Sequence, residues 1–135
     1  MKVLKLWLPT ILWAFVIFQF SALSVPPSSK IFWQDFIVKK SAHIVEYGIL
    51  CTLLYRALKN SSLSSKNAGI VAITASILYA ATDEFHQSFT PGRTPAARDI
   101  VFDTIGASTS IYLIWNYLPK AHPKLKKLAK DFQLI

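Results

Sequence analysis

The sequence predicts an all-α integral membrane protein: a bundle of four transmembrane helices followed by a C-terminal amphipathic basic helix. Three observations carry this. Apolar residues make up 53% of the 135-residue chain and charged residues only 16%, against roughly 25% charged in soluble domains. The apolar residues gather into four stretches, each near the ~20 residues that a helix needs to cross a bilayer. Finally, six of the seven acidic residues fall where those stretches would reach one and the same membrane face.

The first stretch runs from about Leu4 to Ala22. Lys2 and Lys5 give it a basic start, and Ser21-Ala22-Leu23-Ser24 supplies small residues, so a signal peptide is one reading. The apolar run exceeds the ~7–15 residues of a signal core, which favours a retained helix. Pro9 lies near its start, where proline is tolerated. Val25 to Lys40 reads as a loop opened by Pro26-Pro27-Ser28-Ser29, with Ile31-Phe32-Trp33 suited to the interface. The second stretch runs from about Ser41 to Leu58, and Asn60 to Lys66 is a Ser-rich turn. The third, from about Ala68 to Phe85, is rich in Ala, Ser and Thr, residues that let membrane helices approach closely. Thr90-Pro91-Gly92-Arg93-Thr94-Pro95 is a turn-forming loop. The fourth stretch runs from about Asp99 to Leu118 and ends before Pro119.

The tail has a different character. Leu125, Leu128, Phe132 and Ile135 fall at helical spacing, and Lys124, Lys126, Lys127 and Lys130 fill the other positions. That pattern predicts a basic amphipathic helix on a membrane surface. The chain therefore divides into a membrane domain, residues 1–118, and a cytoplasmic tail, residues 119–135. Cys51 is the single cysteine and reads as a small packing residue.

The net charge of +8 would suit nucleic acid in a soluble protein. Here the basic residues flank apolar runs, so the expected partner is the anionic surface of membrane lipids and not nucleic acid. With four spans both termini share a side. Lys2, Lys5, Arg56, Lys59, Lys66, Lys120, Lys124, Lys126, Lys127 and Lys130 lie there, against Lys30, Lys39, Lys40, Arg93 and Arg98 on the other. Ten against five places both termini in the cytoplasm.

Asp35, Glu46, Asp83, Glu84, Asp99 and Asp103 then map to the outer half with His43 and His86, and only Asp131 maps inside. On the second helix His43, Glu46 and Tyr47 share a face, which Lys39 or Lys40 continues if the helix starts early. On the third, Asp83 and Gln87 share a face, with Glu84 beside them. On the fourth, Asp99, Asp103 and Gly106 align, and Gly106 admits a close neighbour just below the carboxylates. A carboxylate within the bilayer costs roughly 2.5–3.5 kcal/mol on insertion scales. These acids are therefore expected to face the bundle and pair with Lys39, Lys40, Arg93, Arg98 or a protonated histidine. Arg93 suits a bidentate carboxylate or phosphate.

The run Asp83-Glu84-Phe85-His86-Gln87-Ser88-Phe89-Thr90-Pro91-Gly92-Arg93, followed by Asp99, Asp103 and Gly106, resembles the VanZ-like family of bacterial membrane proteins. The upstream Lys40-Ser41-Ala42-His43-Ile44-Val45-Glu46-Tyr47-Gly48 is similar to that family as well. The likeness spans about Leu4 to Leu118. Asp103 departs from it, since the resemblance leads one to expect Asn there. The resemblance implies a multi-pass protein of the bacterial cytoplasmic membrane and a link to teicoplanin resistance, after the accessory protein that names the family. It implies site positions more than a reaction.

Two classes of function follow. In the first, the outward site acts on or binds a lipid-linked or phosphate-bearing envelope substrate, such as a cell-wall precursor, or a glycopeptide. Lys39, Lys40 and Arg93 would receive the anion, with Tyr47, Gln87, Asp99 and Asp103 as further binding residues. His43 or His86 would serve as general acid or base, Glu46 or Asp83 would orient the histidine, and Glu84 is a further catalytic candidate. No nucleophile is recognisable, and no cofactor is assigned. A divalent metal on His43, Glu46, Asp83, Glu84 and His86 is a variant, although the spacing matches no zinc signature. In the second class the protein is a non-catalytic recognition or scaffold protein whose polar cluster holds the bundle together. Transport is disfavoured, because broken-helix and inverted-repeat signs are lacking.

Overall fold

A computed structural model of the chain describes residues 2–22, 32–90 and 96–135, without the side chains of Lys2, Phe32, Gln34 and Asp35. Among the described residues the fold is all-α, with no strand. Four long helices, α1 (Lys2–Ala22), α2 (Phe32–Lys59), α3 (Ser65–Gln87) and α4 (Ala97–Tyr112), are followed by a short α5 (Pro123–Asp131). α2 is the centre of the bundle and packs on α1, α3 and α4, most extensively on α4.

Two of these helices, Val3–Ala22 and Ser65–Gln87, are long and apolar enough to cross a membrane. α1 carries no acid and leaves Leu4, Leu8, Ile11, Phe15 and Phe18 exposed. Hydrogen bonds tie it to the bundle: the Trp13 indole N–H donates to the Glu46 carbonyl at 2.9 Å, and the Tyr79 hydroxyl to the Ala14 carbonyl at 2.6 Å.

The interior is built on small residues. Cys51, Tyr55, Ala68, Ala72, Ala107, Ile111 and Ile114 form one buried cluster, and Ile17, Tyr47, Leu50 and Ala80 a second. Cys51 is fully buried there, as a packing residue should be. Gly106 lies against the α2 backbone: a Cβ on it would collide with the Ile44 carbonyl and come within 2.9 Å of the Ile44 Cα. This is the close approach expected at Gly106, and it presses the α2–α4 seam together just below the acidic residues.

Three sequence expectations need correction. Residues 32–40 are not loop but the first turns of α2. Nothing between Phe32 and Ser41 is Gly or Pro, so nothing there interrupts a helix from Phe32 onward. Trp33, Phe36 and Phe102 then form a run of edge-to-face aromatic contacts, with centroids 6.3 and 6.2 Å apart. The expected fourth helix to Leu118 is regular only to Tyr112. It continues as a π turn (Leu113–Tyr117) and a 3-10 turn (Leu118–Lys120). Pro119 gives the reason: it lacks an N–H, and its ring crowds the carbonyl four residues back.

The tail helix is also shorter than its periodicity suggests. α5 ends at Asp131, and Ile135 is not on its face. Gln133 adopts φ 60°, the Leu134 N–H reaches back to the Ala129 carbonyl at 2.9 Å, and the Gln133 N–H to Lys130 at 2.8 Å. This double bond pattern around a left-handed residue is a Schellman end, which reverses the chain. Leu125, Leu128 and Phe132 stay exposed, as a surface-bound helix requires. The expected loops at 25–31 and 91–95 lie outside the described residues.

Candidate functional site

The beginning of α2, the end of α3 and the beginning of α4 meet at one end of the bundle. α3 packs on both α2 and α4, which also pack on each other, and runs antiparallel to them, so its end meets their beginnings. Four carboxylates from two helices are buried at this end: Asp83 (6% exposed) and Glu84 (7%) on α3, and Asp99 (8%) and Asp103 (2%) on α4. Buried charge is sustained only by partners, and the partners fall into layers.

Uppermost, Lys40 forms an ion pair with Asp99. Its ammonium also lies 5.6 Å from the centroid of Phe36 and 5.7 Å from that of Phe102, within cation–π range. Phe36 precedes Lys40 by four residues and Phe102 follows Asp99 by three, so helical spacing builds the aromatic walls around the pair. Arg98, two-thirds exposed, adds a loose contact to Asp99 at 3.9 Å. One turn deeper, His43 Nδ1 meets Asp103 Oδ1 at 2.9 Å. Both pairs join α2 to α4.

The α3 carboxylates are held differently. The Gln87 amide donates to Asp83 Oδ2 at 2.9 Å, one turn along the same helix. Glu84 reaches across to α4, where its Oε2 accepts the Ala96 backbone N–H at 2.7 Å. Ala96 is the N-cap residue of α4 and has no side chain to cap with, so Glu84 supplies that service from another helix. It lies close enough to interact electrostatically with His43, Asp99 and Asp103.

Among the described residues several buried polar atoms here have no hydrogen-bond partner: the Tyr47 hydroxyl, Asp83 Oδ1, Glu84 Oε1 and His86 Nδ1. Tyr47 is fully buried, and its ring lies 6.3 Å from that of Tyr79. The His86 ring is stacked on Phe18 of α1, centroids 4.4 Å apart and tilted by 35°.

The structure thus brings together Lys40, His43, Asp83, Glu84, Gln87, Asp99 and Asp103, with Tyr47 and His86 beside them. Lys39 is exposed, and no ion pair to it occurs among the described residues. Glu46 is half-buried on α2, where its carbonyl holds Trp13. Arg93 and the Asp35 side chain lie outside the described residues. Among the described residues no three His, Cys, Asp or Glu side chains are placed to hold one metal ion. Sequence reasoning missed the contributions of Phe18, Phe36 and Phe102. The last two carried a signal, their helical spacing from Lys40 and Asp99; Phe18 on α1 carried none.

The chain matches none of the curated proteins and none of the solved structures with which it was compared. A family model, that of VanZ/LLP1, matches residues 6–118. The matched region takes in every helix that builds the polar end. The chain belongs to the VanZ/LLP1 family.

Proposed function

We propose that the chain is a four-span protein of the bacterial cytoplasmic membrane whose polar end faces outward and binds the head group of a lipid-linked or phosphate-bearing envelope substrate. A role in glycopeptide resistance fits this reading. The membrane part is residues 1–118 and the tail is residues 119–135, with both termini cytoplasmic. α1 and α3 support the membrane reading by length and apolarity. α4 supports it less directly, since its 16 residues are about 24 Å long at 1.5 Å per residue, and the π and 3-10 turns extend that path. The ten-to-five bias of basic residues supports the orientation.

One observation carries the binding reading. Tyr47, Asp83, Glu84 and His86 each present a buried polar atom with no partner among the described residues, four of the seven such side chains found there, and these four lie at the end where three helices converge. Buried polar groups are almost always satisfied, so a set left open at one place suits a ligand rich in hydroxyl, amine or amide groups. Arg93 and the exposed Lys39 would receive a phosphate, since Lys40 is taken up by Asp99. His43, backed by Asp103, and His86 are the groups able to move a proton.

A second reading has its own support. The Lys40–Asp99 and His43–Asp103 pairs both cross the α2–α4 seam, as they would in a scaffold whose polar residues only knit helices together. Mass spectrometry of lipids co-purifying with the wild type, Glu84→Ala and Arg93→Ala separates the two. A head-group-bearing lipid lost from both variants, at unchanged protein level, is expected. Loss of protein from the membrane without any change in bound lipid would favour the scaffold.

A further inference from the structure

The opposite end of the bundle holds a cavity of about 560 Å³, lined by Tyr55, Lys59, Lys66, Ile114, Trp115 and Ile135 among others. That volume is within the ~300–1,000 Å³ of small-molecule sites. Tyr55 and Lys40 are fifteen residues apart on α2, so the two ends are separated by roughly 22 Å of helix. The cavity belongs to no part of the acidic site.

Its construction is specific. The π turn carries Ile114 inward and leaves Trp115 flat against α3, where Gly69 has no side chain: a Cβ at Gly69 would come within 2.9 Å of the indole Cη2. π turns occur often at binding sites because they displace side chains from the regular helical path. The reversed tail supplies the facing wall through Ile135. The body of the cavity is therefore largely apolar, and the charged side chains that line it, Lys59 and Lys66, are both cationic. Lys59 is fixed there, its ammonium 3.1 Å from the Leu134 carbonyl and 5.9 Å from the Tyr55 ring centroid. An ammonium has three donors, so at least one remains to be offered. Lys66 is exposed in the first turn of α3, the end of a helix that carries partial positive charge. The one acid in the tail, Asp131, is exposed on α5.

We propose that this cavity is a binding site for an acidic phospholipid, with an acyl chain against Ile114, Trp115 and Ile135 and the phosphate at Lys59 and Lys66. A free phosphate would leave the apolar body empty, and a zwitterionic lipid would bring a cation of its own beside Lys59 and Lys66. The exposed Leu125, Leu128 and Phe132 of α5 lie on the same tail and would place the cavity mouth at the level of the head groups. The proposal rests on the membrane reading above but not on which face is cytoplasmic.

The test is native mass spectrometry of the full chain in a neutral detergent, titrated with phosphatidylglycerol or phosphatidylcholine of the same acyl composition. The expected result is one lipid bound with at least fivefold preference for phosphatidylglycerol. Lys66→Gln, an exposed position that leaves the fold intact, should lower that preference about threefold. Lys59→Gln should lower it at least as far, while Lys124→Gln on α5 should not. Equal binding of the two lipids by the wild type would overturn the proposal. So would an unchanged preference in Lys66→Gln, or binding of free glycerol phosphate as tight as that of the lipid. Recovery of the chain as a detergent-free soluble protein would instead overturn the membrane reading, so the two failures are distinguishable.

Discussion

The His43 imidazole and the Asp103 carboxylate meet at 2.9 Å across the α2–α4 seam, with Asp103 only 2% exposed. Gly106, three residues further along α4, is where that helix touches the α2 backbone at Ile44. Tight packing and the polar pair are thus adjacent turns of one interface. The resemblance leads one to expect Asn where this chain has Asp103, and an Asn side chain here would still offer an oxygen that can accept from Nδ1–H.

Asp103→Asn is therefore expected to be mild, costing less than about 1 kcal/mol, because the hydrogen bond is kept. Asp103→Leu leaves His43 facing an apolar group and is expected to cost about 1–3 kcal/mol. In a double-mutant cycle with His43→Leu, the coupling energy should fall within ~0.5–3 kcal/mol. Unfolding in detergent titrated with sodium dodecyl sulfate measures each. Equal losses for Asn and Leu would show that the hydrogen bond is not what Asp103 contributes.

Gly106→Ala and Gly48→Ala should behave oppositely, although both glycines lie on the same seam. At Gly106 the new Cβ meets the Ile44 backbone, which cannot swing aside, and overpacking of this kind costs about 1–3 kcal/mol or more. At Gly48 it sits 3.4 Å from the Gly106 carbonyl oxygen, a contact a slight shift relieves. There the higher helix propensity of Ala, worth up to ~1 kcal/mol, offsets the crowding. The same unfolding assay should show a large loss for the first and a change near zero for the second.

Glu84 ties the end of α3 to the beginning of α4 through the Ala96 N–H. Glu84→Ala removes the only cap α4 receives from a side chain among the described residues, and caps are worth about 0.5–2 kcal/mol. Glu84→Gln keeps an acceptor at the same reach. Hydrogen exchange at the amides of residues 96–100 should accelerate several-fold in Glu84→Ala and stay near wild type in Glu84→Gln. Uniform exchange in all three would remove Glu84 from this role.

Much of the polar end could be read from spacing alone. Asp83 with Gln87, and Asp99 with Asp103 and Gly106, each lie one helical turn apart, so their shared faces follow once the helices are assumed. Which helix each face meets was not legible. The pairing of Lys40 with Asp99 and His43 with Asp103 depends on the axial offset of α2 and α4, set by the Gly106 contact with Ile44. The start of α2 was hidden for another reason. Residues 32–40 mix aromatics, Asp35 and two lysines without a clean apolar stripe, and such a segment reads as loop until Phe102 and Asp99 of a distant helix are seen to partner it. The π turn was invisible for the same reason, since its cause includes Trp115 seated on Gly69, a contact between residues 46 positions apart.

The tail offers a prediction with two signs. Beyond α5 the chain is clamped to the α2–α3 turn by side chains that donate to its carbonyls: Arg56 Nε to Phe132 at 2.9 Å, Asn60 Nδ2 to Gln133 at 3.1 Å and Lys59 Nζ to Leu134 at 3.1 Å. Each is worth about 0.5–1.5 kcal/mol. Arg56→Ala should therefore raise the undocked fraction of the tail by roughly fivefold, since 1.4 kcal/mol corresponds to tenfold. Gln133→Gly acts the other way. Gln133 holds φ 60° at the Schellman position, where glycine is free of the Cβ penalty. Limited trypsin cleavage at Lys127 and Lys130, which tracks the open population when docking is fast, should speed up in Arg56→Ala and slow down in Gln133→Gly. Of the clamped residues only Leu134 packs against a buried cluster, and only at its edge, so either variant should shift the unfolding midpoint of the bundle far less than it shifts tail cleavage. Parallel loss of bundle stability in Arg56→Ala would mean that the tail is an integral part of the core.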